Sequence, residues 1–161
     1  MHAQILGPLM AVAILANGLL AGLFFAFSVA ICPGFRLVDD NTYVRAFRAI
    51  NSAILNGRFL TVFLVAPVAA VACAVFHLWH GGSASLLSVI AGAVCSALTF
   101  GITAAGNVPL NRELASAPID TAHRCRMARQ RFERVWNRWN LARSVASTGA
   151  LSFLALASVT G

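Results

Sequence analysis

Lysine is absent from this chain of 161 residues, and acidic residues are scarce. All twelve basic residues are arginine, and there are five aspartates and glutamates. Charged residues make up 11% of the sequence, whereas soluble domains usually contain about 25%. Outside residues 36–58 and 112–143 the chain has no charged side chain of these types. This composition excludes an ordinary soluble enzyme and indicates a membrane protein.

The net charge of +7 does not indicate nucleic-acid binding, because the arginines lie only in connections between apolar runs. Arginines confined to such connections follow the positive-inside pattern of membrane proteins. They also favour contact with anionic lipid head groups. We therefore expect membrane lipids as partners and no nucleic acid.

Four long apolar runs account for most of the 59% hydrophobic content and for the mean hydropathy of +0.78. A membrane-spanning helix needs about 20 apolar residues. The sequence therefore predicts an all-α, four-transmembrane-helix bundle, a single integral membrane domain over residues 1–161. We expect its spans at about 5–31, 59–79, 84–106 and 141–160. The first run is too long for a cleavable signal and lacks a basic segment before it.

The arginines also predict the orientation of the chain. The first and third connections carry all twelve, whereas the second connection, 77–83, carries none. We therefore expect the two basic connections in the cytoplasm and both termini outside, in a bacterial-type inner (plasma) membrane.

Both basic connections contain helical patterns. In the first, apolar residues recur at helical spacing after the capping residues 39–42: Tyr43, Phe47, Ile50 and Ile54. This pattern predicts a short interfacial helix on the inner leaflet. The second connection, 119–143, predicts a helical extension, capped by Asp120 or Thr121, that leads directly into the fourth span.

Rows of small residues predict close contacts between spans. They are Gly18 and Gly22 in the first run, and Gly92 with Ser96 and Ala97 with Gly101 and Ala105 in the third. The sequence leaves a homo-oligomer open.

Cysteines and histidines suggest little chemistry. The four cysteines have no paired spacing, so we expect buried thiols rather than disulfides or zinc ligands: Cys32, Cys73, Cys95 and Cys125. A small metal site at His2, His77 and His80 is an alternative that their weak spacing leaves open. The predicted spans have no Asp, Glu, Lys or His at mid-depth, which argues against a proton-coupled transporter or a bis-histidine haem.

Polar residues instead concentrate where the third run ends and the fourth begins. Pro109 lacks an N–H and disfavours helix at the residue before it, so we expect the third span to end near Asn107. Trp136, Asn140 and Arg143 follow at i, i+4 and i+7, and this stripe should meet the turn after the third span. Helix capping, an interfacial tryptophan and a snorkelling arginine explain the same residues without a site.

Two motifs in this region carry a family resemblance. They are Asn107-x-Pro109-x-Asn111-x-x-Leu114 and Trp136-x-x-Trp139-Asn140-x-x-Arg143. Asn51 and the stretch Ala21-Gly22-Leu23-Phe24-Phe25-Ala26-Phe27-Ser28 support them. With these motifs, nearly the whole chain resembles the anthrone-oxygenase-like family of small four-helix membrane proteins.

The resemblance implies that O2 oxidises an anthrone, a tricyclic polyketide, to an anthraquinone with no metal or other cofactor. Catalytic residues that hold the enolate oxygen would be Asn107, Asn111, Asn140 and Arg143. Residues that bind the apolar aromatic substrate would be Trp136, Trp139, Asn51 and Phe27. The pocket is expected between spans three and four, with Glu113, Glu133 or water as the base.

A second hypothesis is a non-catalytic bundle, an accessory or lipid-interacting subunit whose arginines bind anionic lipid or a partner. A tightly packed inner half without a pocket would favour it.

Overall fold

The chain is almost entirely helical. The computed structural model describes residues 2–79 and 85–160, with side chains from residue 5 onward in the first range. The helices are α1 (His2–Ala26), α2 (Cys32–Phe35), α3 (Asp40–Ile54), α4 (Gly57–Trp79), α5 (Leu86–Ile102), α6 (Val108–Ser116) and α7 (Ala122–Thr160). No strand occurs in these ranges. The predicted all-α class is confirmed.

Four continuous helices are long and apolar enough to cross a membrane. Two π turns, Phe27–Ile31 and Thr103–Asn107, join α1 to α2 and α5 to α6. The four spans are Ile5–Phe35, Gly57–Trp79, Leu86–Ser116 and Ala122–Thr160. The predicted four-helix bundle is confirmed, and the chain is a membrane protein.

Each π turn is followed, one residue later, by a proline. The amides of Cys32 and Val108 donate to the carbonyls five residues before them, and Pro33 and Pro109 come next. A proline in a helix has no N–H and its ring crowds the carbonyl four residues earlier. A turn with one extra residue relieves that conflict and lets the helix continue. The prediction that the third span ends near Asn107 is therefore wrong, because its helix extends to Ser116.

The four spans form a ring in which α1 and α5 each pack against α4 and α7. Asn17 crosses the centre of this ring and is fully buried. Its Nδ2 donates to the Ala66 carbonyl at 3.3 Å, and its Oδ1 accepts from the Ser96 hydroxyl at 2.8 Å. A single asparagine thus links the first three spans at a depth where backbone carbonyls have few other polar neighbours.

The predicted small-residue contacts are confirmed in the third span at Gly92, where an added Cβ would lie 2.8 Å from Leu154. Gly18 also lies against α7, since an added Cβ would be 3.5 Å from Leu151, and Ser96 is buried against the first span. A Cβ on Gly22 would meet nothing within 4 Å, and Ala97, Gly101 and Ala105 are exposed. The predicted close approach is not seen at these last four residues.

One end of the bundle, called the basic end below, carries α3, α6 and the first half of α7. Asp39 caps α3 by accepting hydrogen bonds from the amides of Asn41 and Thr42, each at 3.0 Å. The hydrogen bond from the Thr42 hydroxyl and, after it, these amide bonds lower the pKa of the Asp39 carboxyl group. Thr121 caps α7 by accepting from the Arg124 amide at 3.3 Å. Both predicted helices are confirmed.

The sequence predicted that the apolar face of α3 lies on lipid, but in the structure this face packs against protein. Tyr43, Val44 and Phe47 are buried in one cluster with Phe27 and with aromatic residues of α7. Apolar side chains on the first turns of α7 provide this surface, since Phe132 reaches within 4.7 Å of Phe47 between ring centroids. The helix α3 therefore covers the basic end of the bundle.

Candidate functional site

The two predicted motifs meet at the junction of α6 and α7. The indole Nε1 of Trp136 donates to Oδ1 of Asn111 at 2.8 Å. Nδ2 of Asn107 donates to the Trp136 carbonyl at 3.4 Å, and Asn107 is fully buried. The side chains of Asn111 and Trp136 are thus in direct contact, with no space between them. The predicted pocket between spans three and four is not lined by these residues.

Asn140 lies one turn further along α7 and faces the first span. Its Nδ2 donates to the Phe24 carbonyl at 3.2 Å and to the Ser28 hydroxyl at 2.8 Å. Ser28 in turn lies 3.1 Å from the hydroxyl of Ser144. The amide is 1% exposed, so these bonds fix its orientation within the bundle.

Arg143 is buried behind Asn140. Its Nε and one terminal nitrogen donate to Oδ1 of Asn140 at 3.1 and 2.9 Å. Its guanidinium carbon lies 4.0 Å from the ring centre of Phe24 and 5.1 Å from that of Trp136. The four ion pairs among the described residues do not include Arg143.

A buried guanidinium without a carboxylate is costly, and aromatic faces and a neutral amide offset only part of its lost hydration. Its field acts strongly on any negative charge that develops nearby, because little water is present to screen it. The pattern is typical of a site prepared for an anion.

Aromatic rings also pack against Trp136. Phe27, Phe47 and Phe132 lie at centroid distances of 5.6, 4.8 and 5.9 Å from it. Phe27, predicted to bind substrate, thus packs in this cluster and is buried. The cluster holds the indole in place so that its hydrogen bond to Asn111 is maintained.

A cavity of about 570 Å³ opens between the end of the first span and α7 at the basic end. Ser28 and Asn140 form its buried part, and Cys32 and Pro33 form a wall. The remaining lining residues come from the polar face of α7 and from the residue after α2: Arg36, Gln130, Glu133, Arg134, Asn137, Arg138 and Leu141. Its volume suits a small organic molecule.

Glu133 is the one acidic residue on this cavity. Arg129 donates to its Oε2 at 2.7 Å, and that arginine is itself held by the Phe35 and Val38 carbonyls at 3.0 and 2.9 Å. The carboxylate is therefore fixed in place through Oε2, and its second oxygen accepts no hydrogen bond from the residues that the structure describes. Glu113, the other base suggested by the sequence, borders a separate groove between α6 and α7.

The structure brings together six of the eight predicted site residues. These are Asn107, Asn111, Trp136, Asn140, Arg143 and Phe27. Trp139 points away from them and lies against Gly106, where an added Cβ would be 2.5 Å from the indole. Asn51 is half-buried on α3 and has no hydrogen bond to the other site residues in the described ranges.

Sequence reasoning missed Ser28 and Cys32, although both line the cavity. Cys32-Pro33 in the first span repeats the arrangement of Val108-Pro109 in the third, since each follows a π turn. That pair of prolines was the available signal that the first span also reaches the site.

Apart from Cys32, no described histidine or cysteine lines this cavity. His77 is buried, with Nδ1 2.9 Å from the Cys73 carbonyl. His80 and the side chain of His2 lie outside the described residues. Within the described part, no three metal-ligating side chains of the His, Cys, Asp or Glu types form a group. All four cysteines are free thiols.

A family model described as anthrone oxygenase matches residues 51–153, well over half of the chain. This range includes both motifs of the α6–α7 junction and Glu133. Searches among curated proteins and solved structures found no match.

Proposed function

The chain belongs to the anthrone oxygenase family, and from this premise we propose that it oxidises an anthrone-like polycyclic aromatic to a quinone with O2, without a cofactor. The observation that carries the proposal is Arg143, a buried guanidinium with no ion pair among the described residues, which is bonded to Asn140. Asn140 lines the buried part of the cavity, and Glu133 lines the same cavity. The substrate is a fused-ring compound of the polyketide type, and O2 is the second substrate.

The first step is proton removal. In an anthrone the methylene between the aromatic rings is acidic because its carbanion is an aromatic enolate. Glu133 takes this proton on its free carboxylate oxygen, and the electron pair moves to the carbonyl oxygen. The Asn140 region at the buried end of the cavity receives that oxygen, and the positive field of Arg143 behind it stabilises the enolate.

The second step uses O2 directly. The electron-rich enolate transfers an electron to O2, and the two radicals combine at the former methylene carbon to give a hydroperoxide after proton return. Loss of the second hydrogen on that carbon breaks the O–O bond and releases water. One anthrone and one O2 thus give one quinone and one water, with O2 as the only oxidant.

The direct test is O2 uptake and quinone formation by the purified protein with several anthrones, above the rate of autoxidation. Glu133→Gln should lower kcat by about 10²-fold or more, a typical contribution of general acid–base catalysis. Arg143→Gln should lower it by a similar factor, because it removes the charge opposite the enolate. Glu113→Gln is the matched control for Glu133, since Glu113 borders a different groove.

Turnover at the autoxidation rate with every anthrone would overturn the proposal. Equal rates for Glu133→Gln and Glu113→Gln would overturn the assignment of Glu133 as the base.

We also propose that the protein lies in a bacterial-type inner membrane with its basic end in the cytoplasm. All twelve arginines lie within residues 36–58 and 112–143, and the exposed ones among them support this orientation by the positive-inside rule. Anionic lipid head groups would then surround the exposed arginines.

A second candidate is a non-catalytic bundle that binds anionic lipid or serves as an accessory subunit. The hydrogen bond of Trp136 to Asn111 and the contact of Trp139 with Gly106 favour it, because they close the junction of spans three and four. On this hypothesis Asn140→Ala lowers stability while no anthrone is turned over. Turnover lost in Glu133→Gln at unchanged stability would exclude it.

A further inference from the structure

Three arginines on the cavity have no role in the proposed chemistry. Arg36 follows α2, and Arg134 and Arg138 lie one turn apart on α7. All three are exposed, whereas Asn140 at the other side of the cavity is buried. They therefore form the rim of the cavity, and Asn140 lies at its floor.

These rim arginines are not neutralised by the protein. All five acidic residues are described. The ion pairs they form involve Arg124, Arg126 and Arg129. Glu133, the only acid on the cavity, is held by Arg129. Three guanidinium groups thus face one carboxylate that is already paired.

A neutral aromatic ligand does not require three arginines at the entrance of its cavity. Apolar side chains at these positions would bind flat rings better and would avoid the burial of polar groups. Guanidinium groups are instead suited to carboxylate and phosphate, which they bind through two parallel hydrogen bonds. Their position at the entrance also attracts anions from solution before binding.

We propose that this cavity takes an anionic amphiphile: a fused-ring aromatic with an acidic oxygen substituent such as a carboxylate. The rings lie toward Asn140 and Ser28, and the acidic group lies at the rim against Arg36, Arg134 and Arg138. The assignment of fused rings to the ligand rests on the proposed function, whereas the assignment of an acidic group rests on the rim arginines alone. A lipid phosphate has the same charge chemistry, and the experiment separates the two sources.

The test compares binding of two quinones that do not react, anthraquinone and anthraquinone-2-carboxylate, to the full chain in neutral detergent. Quenching of tryptophan fluorescence reports the Kd. We expect the carboxylate to bind about tenfold more tightly, as one charge-assisted contact predicts. Raised ionic strength should reduce this difference, because the rim is exposed to solvent.

The double variant Arg134→Gln/Arg138→Gln should remove the preference for the carboxylate and leave the Kd of anthraquinone unchanged. The matched control is Arg58→Gln/Arg112→Gln, which removes the same charge from exposed positions that do not border the cavity. Equal Kd values for the two quinones, or an equal loss in both double variants, would overturn the proposal.

A lipid arm repeats the measurement in nanodiscs of phosphatidylcholine, alone or mixed with phosphatidylglycerol. A preference that persists in the mixture supports a small-molecule anion at the rim. A preference abolished by phosphatidylglycerol assigns the rim to lipid phosphate and overturns the proposal.

Failure of this inference is distinguishable from failure of the proposed function. Turnover of neutral and carboxylated anthrones at the same KM would overturn the inference alone. Tight binding of the carboxylate without turnover of any anthrone would overturn the proposed function alone.

Discussion

Arg143 is a charged side chain buried inside the bundle. It is 6% exposed and has Asn140 as its hydrogen-bond acceptor among the described residues. A buried charge is often less stabilising than an apolar residue of similar size. Removal of its partner, however, leaves the charge uncompensated. The two kinds of substitution should therefore have unequal effects on stability.

We predict that Asn140→Ala destabilises the protein by roughly 3 kcal/mol, whereas Arg143→Met changes stability by only about 1 kcal/mol. Asn140→Ala removes the bonds to Phe24 and Ser28 and strands the guanidinium. Arg143→Met removes the charge itself. Thermal unfolding in detergent measures both, and anthrone turnover should be lost in Arg143→Met.

A melting temperature of Arg143→Met as low as that of Asn140→Ala would contradict this prediction. Arg143 would then be needed for folding rather than for a reaction.

At the scale of the helices, hydrogen bonds within the membrane region decide which spans meet. Asn17 on α1 accepts from Ser96 on α5, its diagonal neighbour in the ring, and donates to a carbonyl of α4. Apolar packing is weakly directional in lipid, because lipid chains are as apolar as the side chains. This triple contact therefore fixes the relative depth of the first three spans.

We predict that Asn17→Ala and Ser96→Ala are coupled. Each should lower the free energy of unfolding by about 1 kcal/mol, and the double variant should lose less than the sum by about 0.6 kcal/mol. The measurement is a double-mutant cycle by unfolding in mixed micelles. Ser152→Ala, at an exposed position on α7, is the control and should have little effect. Strictly additive losses would show that the hydrogen bond contributes nothing.

At the scale of the whole molecule, charge and the covering helix α3 distinguish the two ends. The basic end carries the exposed arginines, and α3 is fixed to it through Arg48, which donates to the carbonyls of Leu114 at 2.9 Å and of Ala117. This contact joins the two basic connections. The cavity therefore opens at the same end of the bundle as the exposed arginines.

We predict that a membrane-impermeant maleimide labels Thr160→Cys in intact cells and leaves Leu37→Cys unlabelled until the cells are broken. Leu37 is 88% exposed at the basic end, and Thr160 ends α7 at the opposite end. The native cysteines are buried or half-buried, so the unmodified chain serves as the background. Labelling of Leu37→Cys in intact cells would reverse the orientation.

The sequence by itself determined the composition-driven features of this protein. Four runs of apolar residues specify four long helices, because a lipid interior requires each backbone to satisfy its own hydrogen bonds. Helical spacing in residues 40–54 and a capping residue at Asp120 or Thr121 similarly specified α3 and the start of α7. Spacing on α7 also placed Trp136, Asn140 and Arg143 on one face, since that periodicity is local.

Only the tertiary structure decided where that face points and what it encloses. The π turns preceding Pro33 and Pro109 let both helices continue. Whether a helix ends before a proline or continues through such a turn depends on packing as well as on the proline itself. In the folded protein Asn111 is hydrogen-bonded to Trp136. The cavity lies instead beside the first span, and Ser28, Cys32 and Glu133 line it. Ser28 and Glu133 are more than a hundred positions apart along the chain. Such contacts depend on the packing of whole helices, and local sequence patterns carry no record of them.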